Sequence, residues 1–137
     1  MNFSYNVGLL VLRVSVSAIM IIVHGLPKLL NPSPFIQHIA KEGIAMPLVS
    51  GYLAISAETV FPLLIIAGLF TRISAFIAAV NMFIAAFVLH IMINGDPFAK
   101  WEKALLYMII FAALAITGPG EWNVKKLFSG TVADAGS

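Results

Sequence analysis

The chain has 137 residues, of which 61% are hydrophobic and 10% charged, with a formal net charge of +2. Soluble domains carry roughly 25% charged residues, so this composition cannot cover a water-facing surface. Disorder, a collagen-like repeat and an ordinary soluble enzyme are excluded, and an integral membrane protein built of spanning helices is expected.

The basic pI, near 9.1, rests on eight Lys/Arg against six Asp/Glu, and no basic run exceeds Lys125-Lys126. Nucleic-acid binding finds no support in that pattern. Cys is absent. The chain itself can therefore neither cycle a disulfide nor hold a thiolate-ligated metal or an iron–sulfur cluster.

A helix needs about 20 residues to cross the hydrocarbon core. In chain order, four stretches approach that length: 7–26, 48–70, 73–93 and 98–117. The first has no Lys or Arg ahead of it, carries Arg13 inside it and lacks a small-x-small cleavage pattern after it. It reads as a retained span rather than a signal peptide. In the link that follows, Ser33-Pro34 supplies a helix start, and Phe35, Ile36, Ile39 and Ala40 share one face before Gly43. A short helix in the membrane interface fits this pattern. Spans two and three are joined by Thr71-Arg72 alone, as a tight hairpin, and Asn94-Gly95-Asp96-Pro97 is a strong turn before span four. Span four is uninterruptedly apolar only over 104–116 and must begin among Trp101, Glu102 and Lys103. After Gly118-Pro119-Gly120 the chain leaves the bilayer. The expected fold is all-α: a polytopic membrane protein, a four-transmembrane-helix bundle over residues 1–128, with a disordered tail at 129–137.

Four spans place both termini on one side. Arg13, Arg72, Lys125 and Lys126 then lie at the termini end, and Lys28, Lys41, Lys100 and Lys103 at the other. The positive-inside count is tied. Assigning Lys28 to a buried site rather than a loop tips the orientation towards cytoplasmic termini in a plasma membrane.

Ionisable groups inside spans are costly, so each is a candidate functional residue. His24 and Lys28 close span one, Glu58 lies in span two, His90 ends span three and Glu102 begins span four. Chain direction brings all five to the end opposite the termini, where they are candidates for ligand binding or proton handling. Pro62 lies four residues after Glu58 and has no N–H to offer the Glu58 carbonyl. A kink and a spare acceptor are expected there. The alternative for Glu58 is a Lys or His bridge that only locks helix packing.

Two lone histidines with Lys28 beside one of them make a poor haem site. No close-spaced ligand pair supports a metal, so none is expected. His38 reads as an exposed residue of the link helix. Arg13 and Arg72 sit near span ends, where snorkelling to lipid phosphates is the simplest role. Asn81 fits an interhelical hydrogen bond. Trp101, Trp122, Tyr52 and Phe98 suit an interfacial aromatic belt.

Taken in order, several of these pieces resemble the DoxX family of small four-helix membrane proteins. They are Leu12-Arg13, His24-Gly25 with Lys28, Glu58, the Gly68-Leu69-Phe70-Thr71-Arg72 corner, His90 with Asn94-Gly95, Glu102 before Ala104-Leu105-Leu106, and Gly118-Pro119-Gly120. After that exit, many relatives continue with Arg and then Ser-Leu-Asp, whereas this chain has Glu121-Trp122-Asn123-Val124-Lys125. The resemblance implies a bacterial or archaeal plasma-membrane protein linked to quinone handling and oxidative stress. The family takes its name from a subunit of a terminal quinol oxidase.

On that basis the expected function is an accessory or quinone-interacting subunit of a membrane oxidoreductase system. Its partners would be the lipid bilayer, other redox-complex subunits and a second copy of the chain. Whether the chain is itself catalytic stays open. The alternatives are a small transporter for an uncharged or weakly acidic solute and a non-catalytic scaffold that recruits redox enzymes.

Overall fold

A computed structural model describes residues 3–128, and the tail expected at 129–137 lies outside them. Three helices are long and apolar enough to cross a membrane: α1 (Phe3–Leu30), α3 (Pro47–Ala67) and α4 (Thr71–Ile93). Between the first two lies α2 (Ser33–Lys41). The last long helix is α5 (Phe98–Thr117). Its 20 residues span about 30 Å, but Lys100, Glu102 and Lys103 crowd its first turns.

Helix α1 runs past Pro27, where the sequence reading ended the span. The stretch Met20–Gly25 is π-helical, and the Leu26 N–H donates to the Ile21 carbonyl five residues back. A widened turn moves a carbonyl away from the proline ring and tolerates its missing donor. Lys28 is therefore carried on the helix rather than in a loop.

Helix α2 starts at Ser33 as its Pro34 signal requires, and Gly43, at φ 83°, follows its end. The buried Ile39 and its neighbour Ile36 pack against Gly51 of α3, where a Cβ would press into the Ile36 side chain. Helix α3 is interrupted at Thr59 (φ −125°, ψ −68°), between Pro47–Glu58 and Val60–Ala67. The Pro62 signal placed a kink in this turn.

The corner between α3 and α4 comprises residues 68–70, three positions earlier than expected. Gly68 adopts φ 77° and Phe70 φ 48°, and the Leu69 N–H closes on the Leu64 carbonyl at 3.0 Å. A left-handed glycine with a bond back across the last turn is a strong helix stop. Thr71 and Arg72 consequently open α4.

The core joins Leu9 and Met20 of α1, Ile65 of α3, Ala75, Ala78, Ala79 and Met82 of α4, and Phe111 and Leu114 of α5. The alanines let α4 and α5 approach closely, the usual packing device where no water drives association. Their contact is the most extensive in the bundle. Val11, Ile22, Leu53, Leu63 and Phe76 project outward, leaving an apolar surface suited to lipid.

Candidate functional site

Glu58 closes the first half of α3 and is only 5% exposed. Its Oε2 accepts a 2.7 Å charge-assisted hydrogen bond from Lys28 Nζ on α1. The Lys28 side chain is 27% exposed, and its ammonium also lies 4.6 Å from the Phe35 ring centroid. Two charges leave water here at a desolvation cost, and their short contact offsets it only because both remain paired. Oε1 faces Asn81 Nδ2 of α4 at 3.5 Å, a long contact. One carboxylate thus ties three helices.

The backbone explains how α1 comes so close. Pro62 leaves the Glu58 carbonyl without an intrahelical donor, and Gly25 sits directly against that carbonyl. Any Cβ at position 25 would overlap it. The Thr59 hydroxyl donates to the Ile55 carbonyl at 2.7 Å, and the Leu63 N–H returns to the Thr59 carbonyl at 3.1 Å. The interruption is thus one residue wide.

His24 belongs to the π-helical turn of α1 and sits edge-on to Tyr107 of α5, with ring centroids 5.5 Å apart. Lys28 follows it on α1 by four residues, about one helical turn. Lys28, Glu58 and Asn81 therefore form one interhelical group joining α1, α3 and α4, with His24 a turn away on α1 and packed on α5. This set can donate to a carbonyl oxygen and exchange a proton. Among the described residues, no group of three His, Cys, Asp or Glu converges as metal ligands.

His90 does not join this group. It lies in the π-helical end of α4, Ile84–Ile93, and its Nδ1 contacts Asp96 Oδ2 of the following turn at 2.8 Å. The Asp96 N–H returns to the His90 carbonyl at 2.7 Å, and Lys100 approaches Asp96 at 3.7 Å. An ionised carboxylate can only accept, so Nδ1–H donates. Glu102 is exposed on the first turns of α5 and has no hydrogen-bond or ion-pair partner among the described residues. Convergence of five ionisable groups thus resolves into a buried site and a surface cluster at the same end.

Burial overturns lipid snorkelling for Arg13. It is 1% exposed, and its guanidinium donates to the carbonyls of Pro119, Trp122 and Ile66. Arg13 fastens the post-α5 segment against α1 and the end of α3. Asn6 reinforces this, donating to Glu121 Oε2 at 3.1 Å and accepting from the Glu121 N–H at 3.0 Å. Arg72 is exposed and reaches the carbonyls of Ile116 at 2.6 Å and Thr117 at 3.5 Å.

Sequence reasoning read Asp96 only as a turn residue and gave no side-chain partner to Asn6, Asp96 or Glu121, each of which has one fixed by folding. Gly25 carried a signal of its own, being a glycine inside an apolar run beside a candidate histidine. Such a residue marks close helix approach.

A DoxX family model matches residues 8–91. An uncharacterized protein of Haemophilus influenzae is 39% identical over 118 residues, 82% of this chain and 85% of that protein. The inner membrane protein YphA of Escherichia coli is 30% identical over 124 residues, 86% of this chain and 88% of its own length. No solved structure matches. With its apolar helices and a matched region that holds the Lys28–Glu58 pair, the chain is a membrane protein and belongs to the DoxX family.

Proposed function

We propose that this protein is an accessory, quinone-interacting subunit of a membrane oxidoreductase system, with the head-group site at Lys28, Glu58 and His24. The observation that carries the reading is the part-buried 2.7 Å Lys28–Glu58 pair at the interruption of α3. A bound quinone supplies exchange of electrons coupled to protons. Lys28 offers donors to a carbonyl oxygen, Glu58 holds the ammonium in place and provides a titratable carboxyl, and His24 is a second proton-handling group. The exposed apolar Leu26 and Leu29 flank Lys28 along α1 and give a lipid-soluble molecule an apolar approach.

Helix α5 is read as the fourth span, from its 20-residue length and its packing on α4. Helix α2 is read as interfacial, because Ile39 is buried while Gln37, His38 and Lys41 are exposed. Binding of Lys28 in the site leaves three lysines on that side against four cations at the termini end, which favours cytoplasmic termini.

The test is quinone retention by purified protein, read by solvent extraction and absorption spectroscopy. Glu58→Gln and His24→Gln should fold with little change in helical signal yet lose the pigment, while His90→Gln keeps it. Wild-type retention in both of the first two variants would defeat the assignment. The interrupted helix favours one second reading, a transporter for an uncharged or weakly acidic solute. Discontinuous spans with freed backbone acceptors are common transporter binding sites. Solute uptake by reconstituted vesicles, with no quinone retained, would select it. Neither activity would leave the scaffold role.

A further inference from the structure

The termini end of the bundle has its own electrostatics. Arg13, Arg72, Lys125 and Lys126 face one described carboxylate, Glu121. Arg13 is occupied by three backbone carbonyls, and Lys126 lies 3.7 Å from Glu121. Arg72 and Lys125 remain, and both line one cavity of about 370 Å³ with Asn123, Phe70 and Ile73. Among the described residues, no acidic one lines it.

Arg72 is held in place without being used up. Its guanidinium rests against Gly118, where a Cβ would approach Nε to 3.1 Å, and two of its N–H groups serve the carbonyls that end α5. A guanidinium has five N–H groups, more than these two contacts use. Lys125 has no ion-pair partner among the described residues and adds an exposed ammonium from the segment that Arg13 and Asn6 fasten. Phosphate is the anion best matched to a fork beside a point charge.

We propose that this cavity binds the phosphate of an anionic phospholipid between Arg72 and Lys125, with its acyl chains lying along Phe70 and Ile73. Those two side chains are 75% and 62% exposed, and Phe76 continues the apolar face one turn further along α4. A freely soluble phosphate would use the two cations and leave this apolar border uncovered. A lipid uses both. The site is separate from the proposed quinone site, since Arg72 lies about 14 Å along α4 from Asn81, the residue of that helix facing Glu58.

The experiment is native mass spectrometry of the purified full chain, released from micelles containing equal phosphatidylglycerol and phosphatidylcholine. The wild type should retain phosphatidylglycerol preferentially, and Lys125→Gln should reduce that preference about fivefold, the effect of one cation near a charged leaflet. Arg72→Gln should reduce it further, though that change also uncaps α5, so the inference stands on Lys125→Gln if the former fails to fold. Lys41→Gln, at the opposite end, should leave the preference unchanged. Absence of any preference in the wild type, or an unaltered one in Lys125→Gln, overturns the site. Full displacement of the lipid by millimolar inorganic phosphate overturns the lipid assignment in favour of a soluble anion.

Discussion

Gly25 of α1 lies directly against the backbone carbonyl of Glu58 on α3, and this contact sets the distance over which Lys28 reaches the Glu58 carboxylate. The carbonyl is free for the contact because Pro62 cannot donate to it. A glycine, a proline and an ion pair, separated along the chain, therefore act as one unit.

Gly25→Ala should accordingly be far more damaging than an alanine at an ordinary helical glycine. The added methyl overlaps the Glu58 carbonyl, so α1 must shift or bend. Overpacking of this kind costs about 1–3 kcal/mol. Gly8→Ala, whose Cβ meets nothing, is the matched control. Thermal unfolding in detergent should give a lower Tm for the first variant and an unchanged or raised Tm for the second.

The Lys28–Glu58 pair should show strong coupling. Removing one partner of a fully buried pair costs about 3–5 kcal/mol, and the partial exposure of Lys28 reduces the penalty for stranding it. Glu58→Met is therefore expected to cost less than Lys28→Met, which leaves the more buried carboxylate alone. The double variant should be more stable than the sum of the singles implies. Additive losses in a double-mutant cycle would show that the pair carries no coupling energy.

Arg13→Lys should be severe rather than mild. A lysine ammonium cannot serve the carbonyls of Pro119, Trp122 and Ile66 with the geometry of a planar fork. Each lost bond to a charged donor is worth about 1.5–3 kcal/mol. The released segment after Gly118 should become protease-sensitive, and Trp122 emission should shift towards the red. A protease-resistant variant with unchanged emission would contradict the anchoring role.

Single cysteines at Ser33 and Ala99 should react with a membrane-impermeant reagent from one side, and those at Phe3 and Lys126 from the other. The chain has no native Cys to confuse the result. Labelling of positions 99 and 126 from the same side would show that α5 does not cross the bilayer.

Composition and apolar run length were enough to read the helical membrane class, because a bilayer obliges every spanning backbone group to bond within its own segment. Glu58 stood out for the same reason: an ionisable residue in a span demands a partner. The break beside it followed from the local chemistry of Pro62. Helix ends were less legible. Residue 27 looked like a stop because a proline normally ends a helix, but a π-helical turn, invisible to apolar periodicity, carried α1 to Leu30.

Partner choice belonged to the tertiary structure. Chain direction brings His24, His90, Glu58 and Glu102 to one end of the bundle but says nothing of which faces meet. Packing put Lys28 on Glu58, turned His90 to Asp96 and left Glu102 exposed. Arg13 shows the same division. Its sequence position near a span end permits either lipid or protein contact, and only the fold of residues 118–123 back over α1 supplies the carbonyls that bury it. Sequence determined which residues need satisfying; the three-dimensional approach of distant backbone segments decided what satisfies them.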